Sequence, residues 1–332
     1  MKIGVLGAGT WGIALARMLA NDGYDVSVYS AIEKEVDELD KNRVHPNLPG
    51  SIIPDTIYFT KSIEEVCTDK DLLLFAVPSI YVRNTTRLAH DYIKDGQIIV
   101  DVAKGIEEDT LFTMSEVIKD ELKDKNVRVV ALSGPTHAEE VARDMPTTIV
   151  SASEDIQASE FVQDIFMNTC MRVYTNPDIK GVELCGALKN IIALAAGIST
   201  GLGYGDNAKA AIITRGMVEM TRLGLAMGAD KDTFAGLAGI GDLIVTCTSM
   251  HSRNNKCGML IGQGKSVEEA TKEVGMVVEG INALPAAKKL MDKYNVEMPI
   301  TNMVYAIINK QIDPQSAIDA LMSREKKQET II

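Results

Sequence analysis

The residues of this chain that could do chemistry are a run of glycines, two lysines and one Ser-Arg-Asn triplet. The glycines come first. An apolar run, Lys2–Leu6, leads into Gly7-Ala8-Gly9-Thr10-Trp11-Gly12 and then into a helical pattern over Thr10–Asn21. In a strand–turn–helix of this kind the first glycine (Gly7) allows the tight turn. The second (Gly9) lets the backbone approach a pyrophosphate, and the third (Gly12) lets helix and strand pack closely. The amides at the helix start, from Thr10 onward, and the helix dipole then hold phosphate oxygens. Such a motif also arises by chance in glycine-bearing loops, but between a strand and a helix it has the context that dinucleotide binding requires.

The choice between NAD and NADP is open in the sequence. An acidic residue roughly 20 positions on would bind the ribose hydroxyls of NAD, and an arginine would suit the extra phosphate of NADP. The second strand instead ends Tyr29-Ser30-Ala31, with Glu33 and Lys34 following. Without a carboxylate at the strand end, the sequence leans slightly to acceptance of NADP.

Lys189 lies in an apolar helical pattern, Val182–Ser199. On a helical wheel Leu184, Leu188, Ile191 and Ile192 fall on one side, and Lys189 falls opposite among Gly186, Ala193, Ala196 and Gly197, with Asn190 nearby. A lysine there could snorkel to water. The stripe is too apolar for an exposed face, however, and a desolvated amine is a proton donor suited to a carbonyl oxygen. Small residues also let a second helix or a ligand approach. Further on, Gly239-Ile240-Gly241 precedes Asp242 and Thr246, which share a face if the segment is helical. Asp242 could orient Lys189, accept a substrate hydroxyl or simply cap a helix. Ser252-Arg253-Asn254 opens an amphipathic stretch, so amides plus a guanidinium could grip a phosphate, as could any surface loop with one arginine. Lys104-Gly105 and Ser133-Gly134-Pro135-Thr136-His137 each follow a strand, where wound sheets expose ligand loops. His137 reads better as a helix-start residue than as a base.

The elements that must carry these groups change character near residue 178. Before it, strands are expected at Lys2–Leu6, Asp25–Tyr29, Leu72–Ala76, Gln97–Val102, Arg128–Leu132, Thr147–Ser151 and Met171–Tyr174, with helical patterns such as Ser79–Tyr92 between most of them. That alternation predicts an α/β, Rossmann-like doubly wound parallel sheet over residues 1–178. After Asn176-Pro177 only helix patterns follow: Asn207–Met227, Lys231–Ala238, Ser266–Glu273, Asn282–Tyr294, Ile300–Asn309 and Pro314–Ser323 join Val182–Ser199. An all-α domain is therefore expected over 179–332, ending in a charged tail from Arg324 to Ile332.

Composition excludes some partners. With 332 residues and a net charge of −12, two cores are expected and neither nucleic acid nor an anionic membrane surface is a natural ligand. A small anionic substrate is still compatible, through a few local cations. Five widely spaced cysteines without a Cys-x-x-Cys suggest buried free thiols in a reducing compartment. Four unpaired histidines give no zinc pattern, so no metal is expected. The N-terminus shows no secretory leader, and Leu184–Ile198, interrupted by Lys189 and Asn190, reads as a buried helix and not a membrane span. A cytoplasmic protein is expected.

Taken together, the segments GAGTWGIALA (7–16), AKGIE (103–107), LSGPTHAEEVA (132–142), ELCGALKNIIALAAGI (183–198), GLAGIGDLIVTC (236–247), SRN (252–254) and VEG (278–280) resemble the NAD(P)-dependent glycerol-3-phosphate dehydrogenase family in its bacterial form. The resemblance implies that Lys189 exchanges the proton at the substrate oxygen and that Lys104 contacts substrate and nicotinamide. It implies that Gly134 and Thr136 line the substrate site and that Asp242, with Thr246 beside it, supports the reacting centre. Ser252, Arg253 and Asn254 would bind the substrate phosphate, Arg253 also reaching the cofactor. Thr10, Trp11, Ala138, Val277 and Glu279 would contact the cofactor. Similar enzymes are homodimers that serve phospholipid synthesis. Two departures concern the adenosine side: Ser30-Ala31 stands where many relatives carry an arginine, and Asn47-Leu48-Pro49 where they often have Tyr-Leu-Pro. Two rivals remain: a dehydrogenase of the same plan acting on a hydroxy acid, imine or sugar acid, and a cofactor-binding sensor without turnover.

Overall fold

The computed structural model describes residues 1–326, 328 and 329. The expected charged tail therefore lies in part outside the described residues. Packing divides the chain into two units, one holding Met1–Lys104 and Phe112–Ile179, the other holding Gly105–Leu111 and the chain from Lys180 onward.

The first unit is built on one eight-stranded sheet: β1 (Lys2–Leu6), β2 (Asp25–Tyr29), β3 (Tyr58–Thr60), β4 (Leu72–Phe75), β5 (Ile98–Asp101), β6 (Arg128–Ser133), β7 (Thr147–Ala152) and β8 (Met171–Asn176). Their order is β3-β2-β1-β4-β5-β6-β7-β8, the Rossmann-like arrangement expected from the alternation. The central strands read as unbroken apolar runs because both faces are covered. In β4, Leu72 and Leu74 pack into the core beneath α1 (Thr10–Asn21). Leu73 and Phe75 point the other way, onto Val82, Met114 and Ile118.

Two features of the sheet differ from expectation. The sheet is not wholly parallel, since β6 and β7 pair antiparallel. The link between them carries only a four-residue helix, Ala138–Val141, too short for a crossover, so the chain doubles back. The edge strand β3 has only three residues, below the length at which alternation is visible. Ser79–Tyr92 is also not one helix: regular α-helix spans Val82–Ala89 between single 3₁₀ turns.

In the second unit, beyond residue 179, the described residues form helices and no strand. The long ones are Ile179–Gly201, Asp206–Ala226, Arg253–Gly262, Glu279–Tyr294 and Pro299–Ile308. Ile179–Gly201 is long and apolar enough to cross a membrane, yet the most apolar window is entirely buried within protein, as its interrupted run predicted. Helix Arg253–Gly262 packs against it at backbone range. A Cβ on Gly258 would stand 2.2 Å from the Leu194 carbonyl, and one on Gly197 would stand 2.1 Å from that of Asn255. The small-residue stripe thus admits a helix. The segment Gly105–Leu111 lies with these helices: Ile106 is buried in their core and Lys289 pairs with Glu108 at 3.0 Å. The sequence-based limits, 1–178 and 179–332, made no provision for this excursion. All five cysteines are free thiols, four of them buried and Cys170 half-buried.

Candidate functional site

The strand-containing unit offers main-chain groups. Gly7 leaves β1 with φ +122° and donates its amide to the Tyr29 carbonyl at 2.9 Å, tying the turn to the end of β2. A Cβ on Gly12 would meet the Gly7 carbonyl oxygen at 2.1 Å, so helix and turn touch there as the spacing predicted. Gly9 is the opposite case. It is exposed, nothing lies within 4 Å of where its Cβ would stand, and as the N-cap of α1 it supplies no side chain to the first amides. An uncapped helix start beneath an open glycine fits a pyrophosphate. Thr10 is the first helical residue, and half-buried Trp11 packs against the core below.

Two more strand ends converge in the same unit. Lys104, just after β5, donates from Nζ to the Gly134 carbonyl at 3.2 Å, and Thr136 Oγ1 donates to the same oxygen at 3.1 Å. Gly134 itself takes φ +155°, a conformation few side chains tolerate. The structure thus brings Lys104, Gly134 and Thr136 together. His137 occupies the N-cap position before Ala138–Val141, the helix-start role expected of it.

At the tip of β2 the sequence reading needs correction. A carboxylate does stand there: the Ser30 hydroxyl donates to Glu35 Oε2 at 2.5 Å while accepting from the Ile32 amide at 3.1 Å. Glu35 comes from the first turn of α2 (Glu33–Asn42), six residues beyond the end of β2. Asn47, at the other departure from the family pattern, donates from Nδ2 to Thr10 Oγ1 at 3.2 Å.

The helical unit offers side chains. Lys189 is 5% exposed, and its ammonium donates to Asp242 Oδ1 at 2.7 Å and to Thr246 Oγ1 at 2.6 Å. Thr246 in turn donates its hydroxyl proton to the Asp242 carbonyl at 2.6 Å, so a lone pair faces the ammonium. The amine is therefore not simply desolvated, as the wheel suggested, but held by a fully buried carboxylate. Next to it, burial pushes the Cys247 thiol up to about 12, which keeps it protonated and inert.

A π turn aims the carboxylate. The helix expected over Lys231–Ala238 stops at Ala235, and Leu237–Gly241 form a π turn in which the Gly241 amide reaches the Gly236 carbonyl at 3.3 Å. Asp242 is then the first residue of helix Asp242–Thr248, not its cap, with Thr246 one turn along on the same face. Single π turns of this kind recur at functional sites because the extra residue re-phases the side chains that follow.

Ser252 caps helix Arg253–Gly262, its Oγ accepting from the Asn255 amide at 3.2 Å. Arg253 follows as an exposed residue that makes no ion pair among the described residues. Asn254 is buried and committed inside the protein: Nδ2 donates to Asn190 Oδ1 at 2.9 Å and Oδ1 accepts from the Gly280 amide at 2.8 Å. It thereby joins the Lys189 helix to the start of helix Glu279–Tyr294, whose first residue is Glu279 and which half-buried Val277 precedes. Asn190 in this chain of amides was not singled out as a site residue. Its place beside Lys189 was the signal available.

A glycine-turned wound sheet followed by a helical unit that buries a paired lysine defines the class of nicotinamide-dependent dehydrogenases. Comparison with known proteins narrows this. The models of the NAD-dependent glycerol-3-phosphate dehydrogenase N-terminus and C-terminus match residues 2–159 and 178–319. A glycerol-3-phosphate dehydrogenase (NAD(P)+) of Lactobacillus delbrueckii subsp. bulgaricus is 66% identical, covering 99% of this chain and 98% of its own. One from Fusobacterium nucleatum is 52% identical over 99% and 98%. The crystal structure of the Coxiella burnetii glycerol-3-phosphate dehydrogenase superposes with a TM-score of 0.93 at 37% identity, over 97% of this chain and 99% of that one. The chain belongs to the NAD-dependent glycerol-3-phosphate dehydrogenase family, and is an oxidoreductase that uses NAD or NADP.

Proposed function

We propose that the protein interconverts dihydroxyacetone phosphate and sn-glycerol 3-phosphate, with residues 1–178 binding the dinucleotide and 179–332 the substrate. The observation that carries this is the buried Lys189 ammonium, held by Asp242 and Thr246. When bound, the reduced nicotinamide supplies a hydride to C2. Lys189 donates its proton to the oxygen on which charge develops and takes one back in the oxidative direction. Asp242 and Thr246 fix the amine and keep a counter-charge beside it in either state. Arg253, at the start of its helix, supplies a cation for the phosphate, with first-turn amides behind it. Lys104 and Thr136 bind substrate beside the Gly134 carbonyl. Asn254 acts chiefly by holding helices in place. Family likeness further supports a homodimer in the cytoplasm that supplies glycerol 3-phosphate for phospholipid synthesis.

The test follows cofactor absorbance with dihydroxyacetone phosphate, using NADH and NADPH in parallel. Lys189→Ala is expected to keep dinucleotide binding and to lose turnover by roughly 10²–10⁴-fold, the usual worth of general acid help. Near-normal turnover in that variant removes Lys189 from the role. Equal activity on ketones lacking the phosphate would replace the substrate assignment.

A further inference from the structure

We infer that Glu35, presented by Ser30 at the tip of β2, selects NAD(H) against NADP(H). The inference rests on dinucleotide binding at the glycine turn and concerns which dinucleotide that turn accepts. Its geometry begins with the Gly7 amide on the Tyr29 carbonyl, which sets the end of β2 directly beside the turn. The next residue is Ser30, and its hydroxyl holds the Glu35 carboxylate at 2.5 Å. In a wound sheet of this kind, the adenosine ribose lies at the end of the second strand. A carboxylate there accepts hydrogen bonds from two ribose hydroxyls but repels a 2′-phosphate.

The surrounding charges point the same way. Among the described residues Glu35 has no cationic partner: Lys34 pairs with Glu38, Lys61 with Asp37, and Arg43 with Asp40, while Lys41 stands in the last turn of α2 and Glu35 in the first. The helix α2 carries Glu33, Glu35, Asp37, Glu38 and Asp40 against Lys34 and Lys41. His45 is the remaining candidate cation. It is buried, its Nδ1 accepts from the Asn47 amide at 3.1 Å, and burial holds its pKa below the ordinary histidine range despite the negative charge of Glu35. It therefore stays neutral at neutral pH and offers a 2′-phosphate nothing.

The experiment is direct binding without substrate: NADH and NADPH titrated into the full-length protein, read by nicotinamide fluorescence and by calorimetry. NADH is expected to bind at least about thirtyfold more tightly, as like charges a few ångströms apart near a surface require. Glu35→Gln, which keeps the shape and a bond to Ser30, is expected to tighten NADPH about tenfold while loosening NADH several-fold. Raising the salt concentration is expected to narrow the wild-type gap. NADPH binding as tightly as NADH in the wild type, or an unchanged ratio in Glu35→Gln, overturns the inference. Failure of both dinucleotides to bind would instead overturn the dehydrogenase reading, and this inference with it.

Discussion

In the strand-containing unit the groups held out to a pyrophosphate are main-chain amides, placed by three glycines within six residues of one another, Gly7, Gly9 and Gly12, at one strand end, while Gly134 turns the chain at another. In the helical unit the functional groups are side chains, and the central pair, Lys189 and Asp242, lies 53 residues apart in sequence. The first kind of site is made by omission, since a missing Cβ leaves room. The second kind is made by compensation, because a buried charge persists only with its partner beside it. Damage should therefore separate stability from binding in the first unit and couple stability to turnover in the second.

The largest effect should come from Asp242→Ala. It leaves the buried Lys189 ammonium without its carboxylate, at an expected cost of about 3–5 kcal/mol in denaturant unfolding along with loss of turnover. The double variant Lys189→Met with Asp242→Leu is expected to regain most of that stability and stay inactive. If Asp242→Ala unfolds like wild type, compensation is not what holds the helical unit together.

Next in size is a pH effect from the same unit. Glu219 is 3% exposed and anchors the start of helix Pro299–Ile308, accepting from the Ile300 amide at 2.6 Å and the Thr301 amide at 3.1 Å. Burial raises its pKa to about 7, against an ordinary value of 4.5. The folded state thus holds this proton more tightly than the unfolded chain. The stability it contributes is full below pH 4.5 and is lost as pH rises through 7, by at most about 3 kcal/mol. Denaturant midpoints from pH 4.5 to 8, compared with Glu219→Gln, should show a downward slope in the wild type that the variant lacks.

The smallest change in stability should come from Gly9→Ala, whose methyl meets nothing within 4 Å. Its melting temperature should match wild type, while dinucleotide affinity falls about tenfold or more. Gly12→Ala forces a 2.1 Å contact with the Gly7 carbonyl and should lower both. A Gly9→Ala protein that binds normally would erase the contrast between the units.

The same contrast explains what could be read beforehand. The glycine turn was legible because its chemistry is local, and spacing alone distinguishes a turn from a packing contact. Lys189 stood out because a helical pattern surrounded it, and the Asp242–Thr246 spacing was visible for the same reason. That these groups meet depends on a π turn, which no periodicity announces and which ended the preceding helix three residues before its expected end. Glu35 escaped because it lies within α2 and is tied to the strand tip by a side-chain hydrogen bond from Ser30. The reversed β7 and the short β3 escaped because strand direction and edge position follow from connections, not from strand composition.

The excursion Gly105–Leu111 bears on any attempt to dissect the chain. A cut at residue 178 gives a C-terminal fragment that has lost Ile106 from its core and the Glu108 partner of Lys289. The complementary fragment carries the orphaned seven-residue peptide with an apolar side chain and nowhere to bury it. Two polypeptides made from the halves would each be incomplete, and mixing them should rescue what neither has alone. Lys104 is the last residue of the strand-containing unit before that peptide.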